Sequence, residues 1–349
     1  MIFRSPFPAV TIPEIPITPF VLEKAEARGD KPALIDGPTG RSISYAELAT
    51  SVRQVAGSLA ARGFKKGDVF GVLSPNVPEY AIVFHAVASL GGIITTVNPL
   101  YTENEIAHQL KDAGARFLVT VGQCMAKAKA AAAQANIEEL FVFEKAGGDL
   151  DGATPFSSLL EGDGNIPDVH INPLEDLVAL PYSSGTTGLP KGVMLTHHNL
   201  VANMCQMEGL KYFTENDTLI CILPLFHIYG LVVVLNFGLY KGSTIVTMPR
   251  FELEPFLQTV QDHGVTLAHL VPPIVLALTK HPVIDNYKLP KLKTIFSGAA
   301  PLDETLTRAC MDRLGCDIRQ GYGMTETSPV THSSPPERDK VKFGSVGVP

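Results

Sequence analysis

The feature that most constrains this chain is an alternation of short, wholly apolar runs with longer segments of helical periodicity. The apolar runs of the first stretch fall at 69–73, 93–97, 117–121 and 140–143. Between them lie helical patterns at 78–90, after Thr102-Glu103-Asn104-Glu105, and in the alanine-rich 126–135. A strand that is apolar on both faces must be covered on both faces, so the pattern predicts a parallel sheet between helical layers. The same grammar returns later, with strands expected at 219–223, 244–248, 266–271 and 294–297 and helices at 231–239, 254–263, 274–278 and 303–314. The fold expected is α/β, with two packed αβα subdomains of mainly parallel sheets.

The rhythm breaks at 145–176, rich in Gly, Asp and Pro, where only 156–160 could form a short helix. The expected division is a first α/β subdomain with an N-terminal extension over 1–150, a linker over 151–176, and a second α/β subdomain over 177–335. The first twenty residues carry Pro6, Pro8, Pro13, Pro16 and Pro19 and are expected to lie extended over the surface. Ser44-Tyr45-Ala46-Glu47 is a capping box; Leu48, Val52, Val55 and Leu59 follow at helical spacing, and Gly63 stops the helix.

Composition narrows the function. With 349 residues, 45% of them hydrophobic, the chain has material for one large core or two ordinary ones. The formal charge is −7, from 28 basic and 35 acidic residues mixed along the chain, and no basic run offers a footprint for nucleic acid or anionic lipid. The five cysteines are odd in number and form no C-x-x-C pair, which argues against a disulfide framework or a zinc site and for a reduced, cytoplasmic setting, with a peroxisomal one left open. Residues 1–10 lack the apolar core of a signal peptide. The longest apolar run, near 228–235, is far short of the ~20 residues of a membrane helix. Oligomeric state is not legible.

The most informative stretch for function runs from Ser183 to Gly192. It follows a short apolar run at 178–180 and holds four hydroxyl residues, three glycines and one lysine within ten positions. Glycines let backbone N–H groups approach an anion, hydroxyls add donors, and Lys191 adds a point charge. The composition is that of a polyphosphate cradle. It is not a Walker A loop, because Pro190 precedes Lys191 and Gly192 follows it, which weakens a P-loop NTPase reading. An ordinary polar surface loop is the alternative on composition alone.

In order, Ser183-Ser184-Gly185-Thr186-Thr187-Gly188-Leu189-Pro190-Lys191-Gly192-Val193 resembles the signature of the AMP-forming adenylating superfamily, which includes acyl-CoA synthetases, adenylation domains and luciferases. The Leu189-Pro190 wording is most similar to 4-coumarate–CoA ligases. Three further segments continue the resemblance: Pro224-Leu225-Phe226-His227-Ile228-Tyr229-Gly230, Ser297-Gly298-Ala299-Ala300-Pro301-Leu302, and Gln320-Gly321-Tyr322-Gly323-Met324-Thr325-Glu326.

The resemblance implies an ATP-dependent acid–CoA ligase that joins a carboxylic acid to AMP, releases pyrophosphate, and passes the acyl group to coenzyme A. It implies that Ser183, Ser184, Gly185, Thr186, Thr187, Gly188 and Lys191 cradle the phosphates, with Thr187 and Glu326 near Mg²⁺ and Thr325 on the α-phosphate. His227 would orient the carboxylate; read without the family, a lone histidine in an apolar stretch is more often a core residue. Ala299, Gln320, Gly321 and Tyr322 would hold adenosine or floor the acyl pocket, lined further by Tyr229, Val233, Pro329 and Val330. Arg250 matches a basic position associated with the CoA phosphates; its alternative is a solvated arginine. Hydroxycinnamate ligases commonly carry serine where this chain has Val233, so the expected acid is more apolar: cinnamate-type or a medium-chain fatty acid.

Residues 336–349 resemble the opening of the family's third, barrel-like subdomain. The ribose-binding aspartate, the hinge and the distal lysine of the mobile C-terminal domain have no counterpart here, so this chain alone is expected to be inactive or crippled. Other outcomes consistent with the same motifs are an adenylating enzyme that delivers to a carrier-protein thiol, a luciferase-type oxidation, and a binding-only product without catalysis.

Overall fold

Apolar strands and covering helices assemble into two sheets around a shared helical layer. The computed structural model describes residues 4–143, 152–183, 190–212 and 214–349. The strands Val69–Leu73, Ile93–Val97 and Thr294–Ser297 form where the apolar runs predict them. The helix Tyr45–Ala61 opens with the expected box: the Glu47 N–H donates to Ser44 Oγ at 3.2 Å and the Ser44 N–H to Glu47 Oε2 at 2.7 Å. Thr102 and Glu105 cap Glu103–Asp112 in the same way.

The first sheet has seven strands in the order Leu195–Thr196, Leu177–Ala179, Ile93–Val97, Val69–Leu73, Ala115–Thr120, Glu139–Val142 and Thr154–Pro155. All neighbours are parallel except the first pair. The second sheet has eight, ordered Val330–Ser333, Asp317–Gly323, Thr294–Ser297, Leu267–Leu270, Thr218–Cys221, Thr244–Thr247, Pro32–Asp36 and Ser42–Ser44, parallel except at its two edges.

The sheets do not follow the linear division. Pro32–Asp36 lies within the first 150 residues, yet Leu34, Ile35 and Asp36 pair with Ile245, Val246 and Thr247 of the second sheet. Leu177–Ala179 and Leu195–Thr196 lie beyond the linker, yet they extend the first sheet. The two layers are interleaved along the chain because each strand's backbone groups must find partners wherever a sheet edge offers them. The linker contributes too: Thr154–Pro155 joins the first sheet, and Phe156 and Leu159 of the 3₁₀ turn behind it are buried. The N-terminus is irregular as far as Pro16, but Ile17–Leu22 is a helix with Ile17, Phe20 and Val21 in the core. Proline-rich text hid that amphipathic turn.

One apolar cluster holds side chains from both sheets, among them Phe70 and Ile94 of the first and Leu219 and Ile245 of the second, and from the helices between them. Separate clusters lie under the outer helices of the second and first sheets. The order of layers is therefore helix, sheet, helix, sheet, helix. Glu79–Ser89 sits in the middle layer, with every residue from Tyr80 to Ala88 buried. The expected helix at 231–239 is instead a π-helix, Tyr229–Asn236, running into an α-helical turn, Phe237–Lys241. Buried Asn236 donates its Nδ2 to the carbonyl of Leu231, five residues back, at 2.8 Å. Among the described residues, no helix is long and apolar enough to cross a membrane.

Three histidines are enclosed in this core. Burial lowers the pKa of His85 and of His269 to about 3, and that of His197 to about 4, where Asp176 partly offsets the effect. Each folded-state value lies below the ordinary value of 6.5. The unfolded chain therefore binds more protons below about pH 6.5, and stability is lost as pH falls from there toward the folded values. Chemical denaturation at about pH 7, 6 and 5 is expected to show a loss of up to about 1.4 kcal/mol per pH unit for each ring. A flat profile over that range would mean that water reaches these rings in the folded protein.

Candidate functional site

Open α/β sheets present free backbone groups at the carboxyl ends of their strands, and ligands bind there. Here the carboxyl ends of both sheets meet. Thr218–Cys221 runs into residues 222–228, Thr294–Ser297 into the turn 298–302, and Asp317–Gly323 into 324–327. From the first sheet, Leu177–Ala179 leads into an antiparallel hairpin of Tyr182–Ser183 with Lys191–Gly192. The Tyr182 hydroxyl donates to Asp112 Oδ2 at 2.6 Å, and Gly192 packs on the Tyr182 ring. Lys191 is exposed on this stem, in register with Ser183. Ser184, Gly185, Thr186, Thr187 and Gly188 lie outside the described residues.

The loop that carries His227 is held from the first sheet's side. Buried Asn76 donates Nδ2 to the carbonyls of Cys221 and Leu223, each at 3.0 Å, and accepts the Leu225 N–H at 2.8 Å. A Cβ at Gly230 would run into the Pro224 carbonyl, so only glycine lets the chain turn back here. His227 Nδ1 accepts the Tyr229 N–H at 3.2 Å. The neutral ring therefore carries its proton on Nε2. The ring is reached from solvent through the cavity mouth, while the surrounding protein lowers its pKa below the ordinary value by desolvation.

Beside His227 opens a cavity of about 300 Å³. Its inner walls are apolar, from Met207, Leu210, Val233, Phe237 and Phe296, and its polar side chains include His227, Thr325 and Glu326. The Tyr229 hydroxyl lies 2.9 Å from His269 Nδ1, and the His269 ring stacks on Phe296 at 5.2 Å between centroids. A Cβ at Gly298 would stand 2.7 Å from the Tyr229 ring, so the glycine permits the turn 298–302 to close over that ring. Ala299 at the head of this turn has φ +69°, a left-handed conformation that costs a non-glycine residue roughly 1–2 kcal/mol.

The seven residues expected to line an acyl pocket, His227, Tyr229, Val233, Ala299, Gly321, Pro329 and Val330, all line this one cavity. Tyr322, Thr325 and Glu326 line it as well. Gln320 lies behind it: buried, it donates to the Leu302 carbonyl at 3.1 Å and accepts the Leu302 N–H at 3.2 Å, bracing the turn. Arg250 stands apart from the cavity lining, 80% exposed and ion-paired with Glu252. A second cavity, of about 260 Å³, is lined by Thr96, Asn98, Gln109, Tyr182 and Ser183, and shares His227 and Thr325 with the first. Ser183 Oγ donates to Glu326 Oε1 at 3.4 Å, which links the hairpin stem to the carboxylate.

Several contributors carried no sequence signal. Asn203 clamps Val330 from the helix His197–Glu208, accepting its N–H at 3.1 Å and donating to its carbonyl at 2.8 Å. Met207 and Leu210 come from the end of that helix and the turn after it, and His269 from the middle of a strand. Only their approach in space makes them part of the site. Asn76 lies in a Pro-Asn-Val-Pro segment that reads as a turn, and its three bonds span a long interval of chain.

A profile described as AMP-binding enzyme matches residues 21–349. The chain is 43% identical over 337 residues to 4-coumarate–CoA ligase 1 of Petroselinum crispum, covering 95% of this chain and 61% of that relative. It is 40% identical over 356 residues to 4-coumarate–CoA ligase 3 of Oryza sativa subsp. japonica, covering 99% of this chain and 63% of that one. A solved long-chain-fatty-acid–CoA ligase from Archaeoglobus fulgidus superposes with a TM-score of 0.88 at 27% identity, over 99% of this chain and 71% of the other. The chain therefore spans less than two thirds of the curated relatives it matches. With the profile covering all but the first twenty residues and identity above 40% over nearly the whole chain, this protein belongs to the AMP-binding enzyme family.

Proposed function

We propose that this chain binds ATP and an apolar carboxylic acid as the acid-activating part of an ATP-dependent acid–CoA ligase. One observation carries the reading: His227 and Thr325 line both the apolar cavity and the polar one that adjoins the phosphate hairpin. An acid seated in the first has its carboxylate at the boundary with the second. A carboxylate oxygen then attacks the α-phosphorus, the α–β bridge breaks, and pyrophosphate leaves. In the second half, a thiol sulfur attacks the acyl carbon and AMP departs, the thiol proton passing to solvent.

The first half brings two anions together, so it requires charge cancellation at the phosphates. Exposed Lys191 supplies a positive charge on the hairpin. His227, neutral with Nε2–H available, donates one hydrogen bond to a carboxylate oxygen and so orients it without neutralising it as a nucleophile. Mg²⁺ would supply further neutralisation. Among the described residues, no group of three or more His, Cys, Asp or Glu side chains could hold a metal unaided. One exposed carboxylate, Glu326, with a hydroxyl beside it fits an ion carried largely by substrate phosphates and water. Arg250, exposed at the surface, would meet a phosphate of coenzyme A by exchanging its partner Glu252 for it.

Acid-dependent pyrophosphate release from ATP by this chain tests the reading, with CoA-thioester formation as the second measurement. ATP binding with no release would favour the binding-only outcome, and release without CoA consumption would favour an adenylating enzyme serving another acceptor. In a chain extended to the full length of its relatives, Lys191→Ala is expected to lower acid-dependent pyrophosphate release by ~10²–10³ while the thermal transition stays in place. Unchanged release in that variant would remove Lys191 from the mechanism.

The cavity wall supports an apolar acid. Val233 offers no hydrogen bond, and the Tyr229 hydroxyl is already engaged with His269. In a chain extended to the full length of its relatives, cinnamate or a medium-chain fatty acid is expected to be used at least as well as 4-coumarate. Val233→Ser should shift the ratio of kcat/KM values toward the hydroxylated acid by about tenfold, the scale of one added polar contact. A strong preference of the unaltered chain for 4-coumarate would mean that another residue reads the ring hydroxyl.

A further inference from the structure

The strand Ile93–Val97 ends beneath the junction of the two cavities, and its sequence is Ile-Ile-Thr-Thr-Val. Successive side chains on a strand point to opposite faces, so adjacent threonines reach different neighbours. Both are buried, Thr95 fully and Thr96 to 3% exposure. Thr95 Oγ1 donates to the Leu180 carbonyl at 3.0 Å. Leu180 also donates its N–H to the Ile94 carbonyl at 2.8 Å, and stands two residues before the hairpin stem that carries Lys191. Thr96 Oγ1 donates to the Phe226 carbonyl at 2.7 Å, one residue before His227.

A third side chain joins the two. Gln109 of the helix Glu103–Asp112, 1% exposed, donates Nε2 both to Thr95 Oγ1 and to the Thr96 carbonyl, each at 3.0 Å. Each threonine hydroxyl donates to one carbonyl, Thr95 on the phosphate side and Thr96 on the histidine side. Leu180 follows a strand of the first sheet and Phe226 a strand of the second, and apolar packing alone sets no register between the two connections. A buried hydroxyl–carbonyl bond does, because leaving either group unpaired is costly.

We propose that Thr95 and Thr96 are positioning residues that separately register the two halves of the site, Thr95 the phosphate hairpin and Thr96 the His227 loop, with Gln109 holding both in one frame. The roles named for the two halves rest on the functional reading above. The placement of the two threonines does not.

The test uses the whole 349-residue chain and the variants Thr95→Val, Thr95→Ser, Thr96→Val and Thr96→Ser. Valine keeps the branched shape and removes the donor; serine keeps the donor. Two readouts are taken: the ring resonances of His227 by NMR across a pH titration, and the affinities for Mg²⁺–ATP and for cinnamate or octanoate in the presence of ATP. Thr96→Val is expected to move the His227 resonances and its titration midpoint and to weaken the acid by about three- to tenfold, with a smaller loss for ATP, whose cavity Thr96 also lines. Thr95→Val is expected to weaken ATP by a similar factor and leave the His227 resonances in place. Both serine variants should restore the unaltered behaviour. Should a valine variant fail to fold, Gln109→Met, which removes the shared donor from outside the strand, is expected to move both readouts together. Equal effects of the two valine variants on both readouts, or an unmoved His227 spectrum in Thr96→Val, would overturn the proposal. If the unaltered chain binds neither ATP nor acid, the functional reading fails, while the His227 resonances still decide whether Thr96 positions that loop.

Discussion

Burial of one helical layer between two sheets is the constraint on which the site depends. Glu79–Ser89 has no polar face to give to solvent, with Tyr80, Phe84 and their neighbours enclosed on every side. A helix that is apolar all round must be covered all round. One sheet cannot do that, so two sheets close on the layer from opposite sides and share its cluster of apolar side chains. Their carboxyl ends then open toward each other, which is how Thr96 and Asn98 of one sheet come to line the same cavity as His227 and Thr325 of the other.

Apolar packing brings the sheets together without setting their register, since it is non-directional. Buried polar side chains set it. Asn76 makes three hydrogen bonds to the loop before His227, and Asn203 makes two to Val330. Each carries a penalty if broken, because the freed group stays buried. These residues therefore act on the cavity's shape without reaching into it. The same logic explains Gln320, which supports the turn 298–302 from behind through the two polar groups of Leu302.

The cavity itself divides its chemistry by position. Its inner walls are apolar, and its polar side chains, His227, Thr325 and Glu326, follow the ends of strands. Desolvation lowers the pKa of His227 and so favours its neutral ring, and the Tyr229 N–H on Nδ1 leaves Nε2 as the hydrogen-bond donor. Positive charge is left to Lys191, on an exposed hairpin stem where hydration stabilises it.

Strand and helix existence was legible because it is local. Apolar runs such as Val69–Leu73, capping boxes at Ser44 and Thr102, and glycine stops are each written within a few residues. The motif residues around His227, Ala299 and Gly321 were legible as text, and they converge on one cavity. What the text could not carry was pairing. Pro32–Asp36 is a short run whose partner, Thr244–Thr247, lies far along the chain, and Asp317–Gly323 is too polar to read as a strand until Thr294–Ser297 and Val330–Ser333 flank it. Nor could it show that Asn203, Met207, His269 and Phe296 join the site, because nothing in their immediate neighbours differs from an ordinary core or helix position. The sequence by itself determined the α/β class, the capping boxes and most strand and helix positions, since propensity, capping and turn chemistry act over short range. Only the tertiary structure decided which sheet each strand entered, where the cavity closed and which buried hydrogen bonds register its halves, since those depend on backbone and side-chain groups that meet only after the chain has folded.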